Sequence, residues 1–207
     1  MDLLDELRSR RALCIVRAPE IPDPVGLAGA LVEGGLPIIE FALTTPGALG
    51  LIERVSAVDG VLLGAGTVMS GQQARDSIAA GARFLLTPGI RLDVAAEAVR
   101  QNVPVVLGAM TPTEVATAVD AGSTAVKVFP AARLGPAYFK DLHGPYPGLP
   151  LVATGGLDAG NAAKFLAAGA VAVTAGSGVV SPALAAESRF AEIRQRAAEF
   201  VAAVATG

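Results

Sequence analysis

Short apolar runs, many of them β-branched, alternate along this chain with longer Ala-rich stretches of helical spacing. Eight such runs occur, at residues 13–17, 38–43, 61–66, 83–87, 104–109, 125–129, 151–154 and 171–175. Their starts lie roughly 20–26 residues apart, which suits a strand, a loop, a helix and a return. The helical stretches carry their own start signals. Ser70, Thr111 (followed by Pro112 and Glu114) and Asp158 each precede one. Gly81, Gly122 and Gly169 each close an Ala-rich run, and Gly34-Gly35 closes the first.

Eight βα units in 207 residues predict a single-domain (β/α)8 TIM barrel over residues 1–207, with a short N-terminal helix before the first strand. An open doubly wound sheet is the competing architecture. It would place a G-x-G-x-x-G turn after the first strand, where this chain has Arg17-Ala18-Pro19.

Composition narrows the function. The net charge of −3 and the lack of a basic cluster beyond Arg8, Arg10 and Arg11 argue against nucleic acid as a partner. Residues 165–186 carry no charge, yet Gly169, Gly176, Gly178 and Pro182 interrupt them, so a buried strand between helices is expected rather than a membrane span. The charged N-terminus does not read as a signal peptide, and a cytoplasmic location is expected. One cysteine and one histidine leave no disulfide and no zinc cluster, so no metal is expected. Cys14 reads as core, and His143 as a structural residue in a turn after a helix.

Two charges fall where a barrel should be dry. Alternation in Ala125-Val126-Lys127-Val128-Phe129 turns Lys127 and Phe129 inward, and in Ile38-Ile39-Glu40-Phe41-Ala42 it turns Glu40 inward. Strands two and six can contribute to one interior layer, which brings an amine and a carboxylate together. A buried salt bridge is the plain alternative, though desolvation makes such pairs weak stabilisers. The chemical reading is stronger. At its reference pKa a lysine is neutral about 0.04% of the time at pH 7. Burial raises that share, making Lys127 a candidate Schiff-base nucleophile with Glu40 as its acid/base partner. Catalytic groups of this fold sit at the C-terminal strand ends, where hydroxyls, glycines and prolines crowd. The Gly-rich turns at Gly155-Gly156 and Gly176-Ser177-Gly178 follow strands seven and eight, the usual phosphate position in such barrels.

These residues together carry a family resemblance. Ile39-Glu40, Gly64-Ala65-Gly66-Thr67-Val68, Thr87-Pro88-Gly89, Lys127-Val128-Phe129-Pro130-Ala131 and Ala153-Thr154-Gly155-Gly156, in order and spacing, resemble the 2-keto-3-deoxy-6-phosphogluconate (KDPG) and 4-hydroxy-2-oxoglutarate (KHG) aldolase family. The resemblance implies a class I aldolase that releases pyruvate and D-glyceraldehyde 3-phosphate, as in the Entner–Doudoroff pathway. It implies Lys127 as the Schiff-base lysine and Glu40 as the catalytic glutamate. Thr67 and Thr154 would line the pyruvate half, Phe129 would pack beside it, and Gly155, Gly156, Gly176 and Ser177 would hold the phosphate. It also implies a homotrimer with no metal and no organic cofactor.

The chain departs from the family at one point. Some members have an arginine four residues after the glutamate, holding the pyruvate carboxylate; here that residue is Thr44. Arg17, at the end of the first strand, is the candidate replacement. Two other readings stand beside the aldolase: a non-catalytic barrel that binds a sugar-acid phosphate, and another phosphate-binding barrel enzyme such as an isomerase or synthase. Glu40 is the lone acidic side chain among the assigned strand ends, which disfavours the last.

Overall fold

Apolar runs that each hide one face against helices and the other against one another can satisfy both faces by closing into a cylinder. In the computed structural model, which describes residues 2–205, eight parallel strands pair in chain order and the last pairs with the first. The strands are β1 (Ala12–Val16), β2 (Ile38–Ala42), β3 (Leu62–Gly66), β4 (Leu85–Leu86), β5 (Val105–Ala109), β6 (Ala125–Val128), β7 (Leu151–Ala153) and β8 (Ala170–Ala175). The closed TIM barrel replaces the open-sheet alternative. Met1, Thr206 and Gly207 of the expected 1–207 unit lie outside the described residues.

Helix α1 (Leu3–Arg10) precedes β1, and Asp2 caps it by accepting from the amides of Leu4 and Asp5. The first five crossovers run through α2 (Pro24–Glu33), α3 (Ala48–Val55), α4 (Gly71–Ala79), α5 (Leu92–Arg100) and α6 (Pro112–Asp120). After β6 come α7 (Ala131–Leu134) and α8 (Pro136–His143), after β7 comes α9 (Ala162–Ala167), and after β8 come α10 (Pro182–Ala186) and α11 (Phe190–Ala205). The uncharged stretch 165–186 is thus divided among α9, β8 and α10. Among the described residues no helix is long and apolar enough to cross a membrane.

Two of the three expected helix starts form as read. Ser70 caps α4, and Thr111 with Glu114 makes a reciprocal capping box on α6. Asp158 does not start a helix. Its carboxylate accepts from Gly160 and Asn161, folding a turn, and α9 begins only at Ala162. His143 is the last residue of α8 rather than part of the following turn. Its Nε2 lies 3.0 Å from the Gly169 carbonyl, tying the end of α8 to the turn before β8.

The strand registers stack the interior into layers of four, with the members of each layer drawn from alternate strands. Lys127 pairs with Val152, which pairs with Ala172; Thr174 pairs with Leu13, and Ile15 with Glu40. Advancing two residues for every two strands closes the ring on Glu40, Leu86, Lys127 and Thr174. Toward the N-terminal end the same rule gives Ile38, Phe84, Ala125 and Ala172, all buried and sealed from below by Leu3 and Leu7 of α1. Toward the C-terminal end it gives Ile15, Gly66, Gly108 and Thr154. The two glycines there leave room for the Glu40 carboxyl group and the Pro88 backbone, while Ile15 and Thr154 line a cavity that opens above the charged layer.

Candidate active site

That cavity has a volume of about 620 Å³. Arg17, Thr67, Lys127, Phe129, Thr154, Gly155, Gly156, Gly176 and Ser177, all expected from the sequence, line it. Thr44 lines it too, and also borders a neighbouring cavity of about 390 Å³. Glu40 sits just below the wall, 1% exposed, with its carboxyl group against Gly66. A Cβ on Gly66 would come within 2.5 Å of that carboxyl, so only glycine leaves Glu40 its place.

Lys127 is 5% exposed, and its Nζ stands 5.9 Å from the centre of the Phe129 ring at the mouth. Burial pulls its pKa below the ordinary lysine value; Glu40 opposes that shift and Arg17 adds to it. Burial pushes the Glu40 carboxyl up, against the pull of Lys127 and Arg17. Among the described residues no ion pair joins the two, and Glu40 Oε2 has no hydrogen-bond partner. This is not the salt bridge that a purely structural role would need. Each group feels the other's charge, while burial favours the neutral form of both.

Arg17 lies one residue beyond the end of β1, yet its guanidinium still reaches across the mouth and donates to Thr67 Oγ1 at 3.2 Å. Thr67 has φ of +58°, an unusual conformation for a β-branched residue, and strain of this kind concentrates at functional sites. Thr154 Oγ1 is buried without a partner, as expected of a group reserved for a ligand.

At the far end Gly155 (φ +96°) and Gly156 (φ +75°) follow β7. Side chains there would strike the Phe129 ring and the Ala132 methyl. The amides of Gly155, Gly156, Gly176 and Ser177 have no acceptor among the described residues. All four residues line the cavity, and free backbone amides in Gly-rich turns of this kind suit an anion. No group of three or more His, Cys, Asp or Glu side chains among the described residues could hold a metal ion. Cys14 is buried on the helix-facing side of β1, where burial raises its thiol pKa, and His143 stands outside the cavity.

Ile15, Pro88, Thr174 and Val180 also line the cavity, although the sequence reading did not single them out as site residues. For Thr174 a signal was available: it takes the inward phase of β8 as Lys127 does in β6. Thr87 supports Pro88 from behind. It accepts from the Gly108 amide at 3.1 Å and donates to the Gly89 carbonyl at 2.6 Å.

The sequence profile of the KDPG and KHG aldolase family matches residues 3–196. The 2-dehydro-3-deoxy-phosphogluconate aldolase of Treponema pallidum is 34% identical over 196 residues, 92% of each chain. The 2-dehydro-3-deoxy-6-phosphogalactonate aldolase of Escherichia coli is 31% identical, covering 92% of this chain and 93% of its own. The crystal structure of KDPG aldolase from Legionella pneumophila, with pyruvate captured as a covalent carbinolamine, superposes with a TM-score of 0.88 at 26% identity, covering 96% of this chain and 97% of that one. With its barrel, its lysine–glutamate layer and these matches, the chain belongs to the KDPG and KHG aldolase family.

Proposed function

We propose that the protein is a class I aldolase that cleaves 2-keto-3-deoxy-6-phosphogluconate into pyruvate and D-glyceraldehyde 3-phosphate through a Schiff base on Lys127. One observation carries the reading. A buried lysine with a lowered pKa opens onto a cavity lined by turns with free amides, and Glu40, with one unpartnered oxygen, lies in its own layer. That a relative has been captured with pyruvate as a carbinolamine supports the same chemistry here.

In this reading the neutral Lys127 amine adds to the C2 carbonyl, and loss of water leaves an iminium that draws electrons from the C3–C4 bond. Glu40 takes the C4 hydroxyl proton as that bond breaks, and later returns a proton to C3 of the enamine. Hydrolysis then frees pyruvate and Lys127. Thr67 and Thr154 hold the pyruvate half beside Phe129, and Arg17 supplies the cation for the carboxylate that Thr44 cannot. The amides of Gly155, Gly156, Gly176 and Ser177 hold the phosphate.

Coupling pyruvate release to lactate dehydrogenase tests the substrate. The phosphorylated gluconate compound and its galactonate epimer are expected to show kcat/KM at least about tenfold above unphosphorylated 4-hydroxy-2-oxoglutarate, since each lost charge-assisted contact is worth roughly 1.5–3 kcal/mol. Equal values would remove the phosphate site from the reading. No pyruvate from any of the three would leave the non-catalytic binding barrel in its place. On the family pattern we also read the protein as a cytoplasmic homotrimer, for which sedimentation equilibrium should return the mass of three chains.

A further inference from the structure

The interior layer that holds Lys127 and Glu40 has four members, and only two of them have been given work. The other two differ in kind. Leu86, from β4, is apolar and 1% exposed. Thr174, from β8, brings a hydroxyl to the other side of the ring, between Lys127 on β6 and Glu40 on β2. We propose that Thr174 is a further catalytic residue, whose hydroxyl carries protons between Glu40 and the carbinolamine formed at Lys127. The proposal rests on the imine reading above.

Three observations carry it. Thr174 lines the cavity while being only 3% exposed, so its side chain sits at the floor, where the reacting carbon would be. Its neighbours Val173 and Ala175 pack outward against the helices, and Ala172, one layer below, belongs to the dry interior. The next interior position of β8 is the small apolar Ala172, so the strand does not call for a hydroxyl on this face. Its hydroxyl makes no hydrogen bond to any described side chain, so its capacity as both donor and acceptor is unused. Finally, no ion pair joins Glu40 and Lys127 among the described residues, and Glu40 Oε2 is without a partner. Thr174 stands in the same layer on the strand between theirs, where its hydroxyl can pass a proton from the carboxyl group to an oxygen on the lysine-bound carbon.

The step balances without any other reactant. The carbinolamine loses its hydroxyl group as the nitrogen lone pair forms the C=N bond. Thr174 gives its proton to the departing oxygen, which leaves as water, and takes a proton from the Glu40 carboxylic acid. The products are the iminium, water and the Glu40 carboxylate; Thr174 is unchanged.

Thr174→Val removes the hydroxyl and keeps the shape; Thr174→Ser keeps the hydroxyl and removes a methyl. Imine formation is followed by quenching mixtures of protein and pyruvate with borohydride at timed intervals and weighing the Lys127 peptide. Thr174→Val is expected to slow labelling by about 10²-fold, the lower range for removing a proton-transfer group, and to shift the pH at which the rate is maximal. Thr174→Ser is expected to recover most of the rate with the parental pH profile. Thr174→Ala provides the hydroxyl-free variant if valine disturbs the fold by circular dichroism. Parental labelling rates in folded Thr174→Val or Thr174→Ala overturn the relay and leave the aldolase reading standing. Equal slowing in the valine and serine variants overturns it in favour of packing. If the parent protein itself does not label, the imine reading fails and the relay with it.

Discussion

A Lys127→Met protein is expected to fold, bind and do nothing else: pyruvate release falls by at least about 10³-fold, and borohydride with pyruvate no longer adds mass to the peptide holding residue 127. Every step of the proposed cycle passes through the nitrogen of this side chain. It becomes the C=N bond, it draws the electrons of the breaking C–C bond, and it is released only by hydrolysis. No other amine can stand in. Lys140 and Lys164, the remaining lysines, are exposed on α8 and α9. Methionine is the informative replacement because its unbranched, adaptable chain fills most of the same channel without a charge. Alanine would add a void to the loss of chemistry and confuse the two. Circular dichroism and a thermal melt should show a folded barrel. A folded Lys127→Met protein with near-normal turnover would end the Schiff-base mechanism.

The same physics explains what the sequence could and could not show. Lys127 and Glu40 were legible because a charge at the inward phase of an apolar strand contradicts its surroundings, and such contradictions mark function. Thr174 occupies the same layer and escaped notice because threonine is an ordinary strand residue, and a hydroxyl raises no comparable contrast. That Lys127 and Glu40 can share a layer follows from their even strands, but that Thr174 stands at the same height was not readable. Alternation assigns a face, whereas height depends on register, which the pairing of all eight strands sets together. Where local signals competed, the reading slipped. Asp158 precedes an Ala-rich run and could cap a helix, but Gly160 and Asn161 offer nearer amides, and a turn forms first. β4 contracts to Leu85–Leu86 from the expected 83–87, although the Arg83 and Thr87 amides still donate to the Leu63 and Val106 carbonyls of the neighbouring strands. Arg17 was placed at a strand end and lies one residue past it, but its long side chain recovers the distance and still lines the cavity.

Glu40→Gln should separate the second chemical role from the first. Glutamine keeps the shape and can still hydrogen-bond, but it neither takes nor gives a proton at working pH. Turnover is expected to fall by about 10²–10⁴-fold, the range for a general acid/base, while borohydride still traps pyruvate on Lys127, though more slowly. The pH dependence supplies an independent check. Burial raises the Glu40 pKa, so between its ordinary value of about 4.3 and that raised value the folded protein holds a proton that the unfolded chain has released. Stability therefore falls as pH rises through that window. Lys127 acts in the opposite sense: its lowered pKa means that the unfolded chain binds the extra proton, and stability rises with pH toward the ordinary lysine value. In Glu40→Gln the first dependence disappears. Its melting temperature relative to the parent should climb with pH across the carboxyl window, and the limb of the pH–rate profile that belongs to the carboxyl should vanish while the lysine limb stays. The result that counts against this assignment is a folded Glu40→Gln enzyme with parental turnover and both limbs intact. The proton would then have to move through another group, and the unpaired oxygen beside Gly66 would have no part in the chemistry.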